Sequence, residues 1–589
     1  MATSPQTDVI AALTAAADSV DESRRYAPTD APPEVVAPDL ERFNEVSNTT
    51  DRALADGFFR HYRHLFINGD GNLYVFHKDR GAWSRDDVDS QILAYCMHLS
   101  DRFYEELDAV REQRAIAEGA GRGDEATRLA DRQAAITRLI VHCEKANTMG
   151  NVARFLKAKL RTIMADRPQR MNFSPAVLAV ANGVVDLTTQ TLRSARPEDY
   201  ITRNARVVYK HDLDVDWWRD IVLQICGGNP RFAEFVQVWF GYTATGSTSE
   251  HCMVIMWGGG RNGKNLLVDA VAAALGGYAS ALPASFLEFS DKGNGSMDNN
   301  MLYAMAQLDG VRLAYVSETG EKSKMRESWV KSQTGDRMIR ARLAHQDYYE
   351  FQVTHKLTVG TNHKPEVTGT DDGVWERIRL LPMRVRFGDE AEVASGVAQA
   401  LADRGLLERV TSPAGREAVL RWVVEGACKY LAKGLRHYTP AEVKAETKSY
   451  RREQDVLGQF LQGVSSHIPL TEVQRIQQLE GGGGNSHAFS RLSIEDRLRV
   501  EKQEMWRIYY VWCEENGHHA MSATTFSRRI TGAQRFWIDE IGDELLMPPL
   551  DVVKSKGNVS FYRYLRLNDN GLRLRGVARA RTEHHGDEE

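Results

Sequence analysis

Between residues 251 and 390 short apolar runs alternate with polar turns, and one helical stretch interrupts them. That alternation predicts an α/β unit. Cys252–Trp257 reads as a buried strand, and the helix behind it is stopped by Gly276 and Gly277. VRLAYVSE and HKLTVGTN read as further strands, and MIRARL with YYEFQ as a hairpin around a polar tip. Upstream, DRALADGFFRHYRHLF predicts a helix, NLYVFHK and GAWS short strands, and 100–165 a charged helical region broken at GAGRGDE. Asn182 and Gly183 separate two apolar runs and predict another hairpin. Residues 206–250 and 391–475 read as helical, and GGGG at 481–484 as a linker. Beyond it come an amphipathic helix ended by Gly517, a second helix capped by Ser522, and a strand at FYRYLRL. Helix, helix and strand pair in that order suggest a small winged helix-turn-helix.

The expected layout follows. Residues 1–45, rich in Ala, Ser, Thr, Asp and Pro, form a disordered arm, and 46–205 an N-terminal α+β module, mostly helical. The α/β unit with its helical lead-in spans 206–390, a helical lid 391–475, a linker 476–500, the winged module 501–570 and a charged tail 571–589.

Composition adds bounds. The 589 residues, 42% hydrophobic and 26% charged, predict several globular cores. Lys and Arg total 75 against 80 Asp and Glu, a net −5, which argues against a coating or histone-like DNA binder. The charge is uneven: Arg337–His345 holds three arginines and no acid, and Phe561–Arg581 holds six arginines against Asp569. No apolar run is long enough to span a bilayer, and the acidic start does not fit a secretory signal, so a cytoplasmic, membrane-free protein is expected. The six cysteines are scattered with no C-x-x-C pair, which fits a reducing compartment and excludes a zinc ribbon.

The sharpest chemical signal is CMVIMWGGGRNGKNLL. A strand runs into Gly258-x-x-x-x-Gly263-Lys264 and then a helix, the order a phosphate-binding loop requires. Gly258, Gly259, Gly260, Arg261, Asn262, Gly263, Lys264, Asn265 and Leu266 are the candidate ATP contacts. Asn265 stands where Ser or Thr would ligate Mg2+, and its amide oxygen could do so or hold a metal-bound water. Glu318, ending the next strand, is the candidate for holding the metal and activating water, with Glu321 and Asp309 as alternatives. Asn362 ends a third strand, where an amide can touch the γ-phosphate. Arg377 and Arg379 are candidates for a finger reaching a neighbouring subunit, or else surface ion-pair partners of Glu376 or Asp372. Arg337, Arg340, Arg342 and His345 make the hairpin basic, either a grip on a nucleic-acid backbone or a solvated surface. Arg528 and Arg529 could face DNA from the second helix of the winged module. Asp212, Asp214 and Asp216 read as acids at a helix start rather than a two-metal polymerase site.

Together these segments resemble the superfamily 3 helicases, and more closely the phage and plasmid primase–helicase family that includes the poxviral primase–helicase. NGVVDL and RPEDYITRNARVVY resemble its N-terminal module, GYTATG its lead-in and GGGRNGKN its nucleotide loop. VSETGEK resembles its acidic motif and VKSQTGDRMIRAR its hairpin motif. GTNHKPEVTGTDDGVWERIRLLP resembles its Asn and arginine segment, and SYRREQDVLGQFL the helical stretch before its winged module. The resemblance implies an AAA+-like P-loop ATPase core in an α/β fold. It implies a homo-hexameric ring that uses ATP and Mg2+ to translocate on single-stranded DNA and unwind forked DNA. Lys264 and Asn265 would hold ATP and metal, Glu318 would activate water, Asn362 would be the sensor, and Arg377 or Arg379 the finger. The chain departs from the family at Asn265, and at Ser317, which stands where a second acid would precede Glu318. The match to the family's N-terminal module leaves little space for a catalytic primase domain, and a primase or polymerase in trans is a candidate partner. Rival readings are a bifunctional primase–helicase, an ATP-gated origin binder without processive unwinding, and an NTPase with no DNA role.

Overall fold

The computed structural model describes residues 50–585. It leaves out 63–64, 70–71, 78–79, 86–87, 165–170, 173, 288–298, 318–322, 343–347, 369–371, 467, 469, 482–497, 532–535, 539–543, 547–549 and 555–558. The expected arm at 1–45 lies outside the described residues.

The described chain begins with α1 (Asp51–Tyr62) and the antiparallel strands β1 (Phe66–Gly69), β2 (Asn72–His77) and β3 (Ala82–Arg85). Then α2 (Val88–Gly119) and α3 (Gly123–Cys143) pair across the turn at GAGRGDE, and α4 (Ala146–Met164) returns to α1. Leu54, Phe58, Leu99, Phe103, Leu156 and Leu160 form their shared core. A second antiparallel meander follows: β4 (Val177–Val180), β5 (Gly183–Asp186) and β6 (Leu192–Arg193).

Next come α5 (Asp216–Ile225) and α6 (Pro230–Ala244), whose start is capped by Asn229 accepting from the amides of Arg231 and Phe232. The chain continues through β7 (Met253–Trp257), α7 (Lys264–Leu275), β8 (Ala279–Ala281), α8 (Asn299–Gln307) and β9 (Leu313–Ser317). β10 (Lys324–Arg326) and α9 (Glu327–Gly335) precede the hairpin of β11 (Met338–Arg342) and β12 (Tyr348–Gln352). β13 (Lys356–Thr361), β14 (Glu366–Thr368), α10 (Asp372–Trp375) and β15 (Ile378–Pro382) close the unit. The central sheet has the order β15-β7-β13-β9-β8, all parallel. β7, β13 and β15 are buried nearly throughout, which is why β7 and β15 read as continuous apolar runs rather than alternating ones.

Two cations are buried at the amino end of this sheet. Arg312, just before β9, donates to the carbonyls of Ala244 and Val177 and lies over the Tyr278 ring at 4.6 Å. Lys356, the first residue of β13, donates to the carbonyls of Thr245 and Thr354 and lies 5.1 Å from the centre of the Tyr242 ring. Ala244 and Thr245 end α6, so both cations meet the negative end of that helix. Burial pulls both below their usual pKa ranges.

Beyond the sheet lie β16 (Phe387–Gly388), α11 (Glu390–Ala394), β17 (Ala400–Leu401) and α12 (Leu406–Thr411). They are followed by α13 (Pro413–Lys433), α14 (Leu435–Tyr438), α15 (Ala441–Gln454), α16 (Val456–Val464) and α17 (Leu470–Gly481). The last part holds β18 (Arg499–Glu501), α18 (Lys502–Glu515), α19 (Ala523–Ile530), β19 (Phe536–Ile538), β20 (Glu544–Leu546), β21 (Asp551–Lys554), β22 (Ser560–Arg563) and α20 (Asp569–His585). Ser522 accepts the Thr525 amide at the start of α19.

Two expectations are corrected. The linker expected at 476–500 is helical at its start, since α17 runs to Gly481. The charged tail at 571–589 is no tail through His585: α20 buries Leu574 and Ala578 in the core with Phe460, Tyr509 and Phe526. Leu574 and Ala578 stand four apart and share one helix face, a pattern the dense arginines concealed.

Replacing Arg312 with Met would leave two buried carbonyls without their donor, so the unfolding free energy should fall by about 3 kcal/mol. The exposed Arg102, paired with Glu105 three residues on, is the control, and its change to Met should shift stability by less than about 0.5 kcal/mol. Equal urea midpoints for the two variants would contradict this.

His355, 1% exposed, is pushed down to about 3, by burial first and by Lys356 second. Its folded value lies below its unfolded one, so below pH ~6.5 the unfolded chain takes up a proton that the fold refuses. Stability contributed by this group is complete above that pH and declines by up to about 1.4 kcal/mol per pH unit down to pH ~3. Urea midpoints of the wild type and His355→Gln should therefore diverge in pH slope between pH 7 and 5, the variant being flatter.

Candidate nucleotide and nucleic-acid sites

The register of the parallel sheet brings three strand ends level. Trp257 pairs with Thr361, and Gly360 with Ser317. The residues that follow, Gly258 and Asn362, therefore share the carboxyl edge of the sheet, where open α/β sheets bind ligands. Glu318 and its alternative Glu321 lie outside the described residues; the described strand stops at exposed Ser317. The other alternative, Asp309, is set apart by the structure. It precedes β9 at the amino end, where its carbonyl accepts from Arg203. A strand's length thus separates Asp309 from the loop.

The 258–263 loop turns through positive φ at Gly260 (91°), Arg261 (49°) and Gly263 (76°). Its shape is pinned from outside. Gly258 donates to Thr361 O at 3.2 Å, and Phe387 donates to Arg261 O at 2.7 Å. Asn262 is buried and donates to Met383 O at 3.2 Å, while its Oδ1 has no partner. Lys264 opens α7, is 4% exposed, and places Nζ 2.6 Å from Asn362 Oδ1. The Asn265 Oδ1 lies 3.5 Å from the point a Cβ on Gly360 would occupy, so it faces β13. Leu266 instead packs against the apolar core.

Ion pairs with distant residues surround the loop. Arg261 is bound by both carboxylate oxygens of Glu392 at 3.0 Å, and Arg386 approaches the same group at 3.4 Å. Only the capping box of Asp389 and Glu392 at α11 was readable in advance; the partner 131 positions away was not. Lys364 lies over Trp257 at 4.3 Å and pairs with Glu453 at 2.8 Å.

Arg377 and Arg379 stand at the other end of the sheet. Arg379 pairs in register with Val254 near the start of β7, and its guanidinium donates to the carbonyls of Glu376 and Ile378. The Arg377 Nε is buried without a partner, and its guanidinium lies beside Gly335. With ~3.3 Å per strand residue, neither meets Lys264 in the same chain.

On the hairpin, Ile339, Ala341 and Phe351 point into the core, and Met338, Arg340 and Tyr348 are exposed. Arg340 and Arg342 lie over the Tyr348 ring at 4.4 and 5.2 Å. Arg337 is exposed just before β11, and His345 lies outside the described residues. Arg528 and Arg529 are exposed on α19. Asp214 accepts the amide of Asp216 and Asp216 pairs with Arg219 at 2.6 Å, so these acids are engaged at the start of α5. Among the described residues no group of three His, Cys, Asp or Glu is arranged to hold a metal, and no helix is long and apolar enough to cross a membrane.

Two family signatures match the chain: "D5 N terminal like" over residues 55–240 and "Poxvirus D5 protein-like" over 487–534. The putative helicase L207/L206 of Acanthamoeba polyphaga mimivirus is 23% identical over 295 residues, 48% of this chain and 30% of the relative. The putative primase C962R of African swine fever virus is 25% identical over 307 residues, 50% of this chain and 31% of the relative. The chain thus matches about a third of the length of these curated relatives. The apo structure of the NrS-1 C terminal region (305–718) aligns with TM-score 0.38 at 10% identity, covering 69% of this chain and 90% of that one. The protein is a mixed α/β chain with a parallel sheet, and parts of it are similar to the two D5 signatures.

A Cβ on Gly258 would lie 1.9 Å from Asn262 Nδ2 and 2.4 Å from Met383 O, so the loop must open to admit one. Gly258→Ala should weaken ATP-analogue binding by tenfold or more, about 1.4 kcal/mol or above. Fluorescence titration checks this, with Gly259→Ala, where nothing stands within 4 Å, as the tolerated control.

Proposed function

We propose, from this kinship with D5-type primase–helicases, that the chain is an ATP-dependent DNA helicase acting on single-stranded and forked DNA during replication. One observation carries the reading. The Lys264 ammonium and the Asn362 amide meet at the carboxyl edge of two adjacent parallel strands, behind a glycine loop leading into a helix. A loop lysine and a strand-end amide at one point are what recognition of a terminal phosphate requires.

The loop amides and the start of α7 would receive the phosphates, and Lys264 would bind the β- and γ-oxygens. The positive φ at Gly260 and Gly263 fits a loop that curls its amides round such an anion. Mg2+, when bound with ATP, would neutralise phosphate charge; the donors offered are the Asn265 amide oxygen and Glu318. Asn362 would exchange its bond to Lys264 for one to the phosphate and so report occupancy. Arg377 and Arg379, at the far end of the sheet, would serve a neighbouring copy, which requires a ring; a homo-hexamer is the assembly proposed. The hairpin arginines would hold the DNA backbone. The β18–β22 part, with α19 exposing Arg528 and Arg529, is read as the winged module. Asp214 and Asp216 are committed to their helix start, which favours unwinding over primer synthesis for this chain.

Forked duplex with a labelled strand, incubated with the chain and ATP, should release that strand, and Lys264→Ala should reduce release by at least ~100-fold. Unaltered release in Lys264→Ala would remove the site assignment. ATP hydrolysis stimulated by DNA without strand release would point to an ATP-gated initiator instead.

A further inference from the structure

The segment upstream of the core sheet touches the basic hairpin directly. Arg85, the last residue of β3, places its guanidinium 4.3 Å from the centre of the Tyr349 ring on β12. Tyr349 neighbours Tyr348 in sequence, and successive strand residues point to opposite faces. Tyr348 is the ring on which Arg340 and Arg342 rest. Tyr349 faces the other way, its hydroxyl donating to Ala306 O in the last turn of α8 at 3.3 Å.

The same end of α8 is gripped again from upstream. Arg203 donates to Gln307 O at 3.1 Å and to Asp309 O at 2.8 Å. β3 is fastened to the strip containing Arg203: the Trp83 amide donates to Ile201 O, and its indole N–H donates to Pro197 O at 2.9 Å. The hairpin is thus held on its inner face by α8 and Arg85, and both are tied to the upstream segment. The burial that raises the Tyr349 hydroxyl to about 12 is partly countered by Arg85 and Arg203, in keeping with both cations lying beside it.

We propose that Arg85 is a positioning residue for the hairpin, fixing through Tyr349 the angle at which Arg340 and Arg342 meet a single-stranded nucleic-acid backbone. The inference rests on the reading of the hairpin as a DNA grip, and gives the region before the core sheet a part in that grip. Arg85 does not touch the strand itself; it removes freedom from the element that does, so binding loses less entropy.

The test uses the full chain and a fluorescein-labelled oligothymidylate, with anisotropy for affinity, ATP KM and thermal midpoint measured in parallel. Arg85→Ala should weaken oligonucleotide binding about fivefold, the scale of a partly buried cation–π contact. ATP KM and thermal midpoint should be unchanged. Arg85→Lys should recover most of the affinity. Tyr349→Leu should weaken binding similarly, and the double variant no further, because both act through one contact. Wild-type affinity in Arg85→Ala, with weakened affinity in Arg340→Ala, overturns the positioning role and leaves the DNA grip standing. Additive losses in the double variant also overturn it. Wild-type affinity in Arg340→Ala overturns the grip itself, and this inference with it. Should Arg85→Ala unfold, Tyr349→Leu with Arg85 in place decides by the same measurements.

Discussion

Two buried cations, with no carboxylate beside them among the described residues, organise the core of this protein. Arg312 and Lys356 are held by main-chain carbonyls and aromatic faces, and each takes one of its carbonyls from the end of α6. A cation sealed from water is tolerated only where oriented dipoles replace its hydration. The end of a helix supplies them, because its last carbonyls have no partner within the helix. Arg312 stands before β9 and Lys356 begins β13, so the two central strands are fixed to one helix end at one height. Sliding either strand by one residue would expel a cation from its only solvation.

That constraint decides where chemistry can occur. The amino end of β9 and β13 is sealed by α6, and the carboxyl end carries the Gly258–Lys264 loop and Asn362. β13 joins the two worlds. Its first residue is the buried Lys356, four positions beyond the hairpin strand β12, and Asn362 follows its last residue. In the proposed reading a displacement at the phosphate end reaches the nucleic-acid end through one fully buried strand with no soft joint. The position of Arg377 and Arg379 at the amino end belongs to the same proposed reading: a ring would place one copy's amino-end surface against the next copy's loop.

Sequence spacing revealed those parts of this arrangement that are local. The Gly258–Lys264 loop, the MIRARL and YYEFQ hairpin and the Ser522 cap each depend on residues a few positions apart. Their backbone requirements can be read from residue type. Contacts between distant residues could not be read that way. Lys264 and Asn362 are 98 positions apart, and only the parallel register makes them neighbours. Arg85 and Tyr349 had no pattern in common. Asp309 looked equivalent to other acids near the strand because a sequence does not state which end of a strand is open. The burial of Arg312 and Lys356 has no sequence pattern, since their solvation comes from carbonyls, which every residue possesses.

The arginine-rich C-terminal stretch shows how such local reading misleads over charge. Six arginines against one aspartate between Phe561 and Arg581 suggested a basic surface for DNA. In the fold Arg573 is bound by Glu515, Arg579 by Glu504, Arg581 by Glu514 and Arg566 by Glu472. Most of these carboxylates come from α18, whose acidic face matches the basic face of α20. A strand approaching there would have to displace an intramolecular counterion for each phosphate it contacted. Such exchange weakens the counterion release that drives nucleic-acid binding. The hairpin carries Arg340 and Arg342 over the Tyr348 ring, and stacking on a ring leaves a guanidinium its charge. An overall charge of −5 is therefore compatible with a nucleic-acid grip, because a net charge averages over surfaces that differ locally.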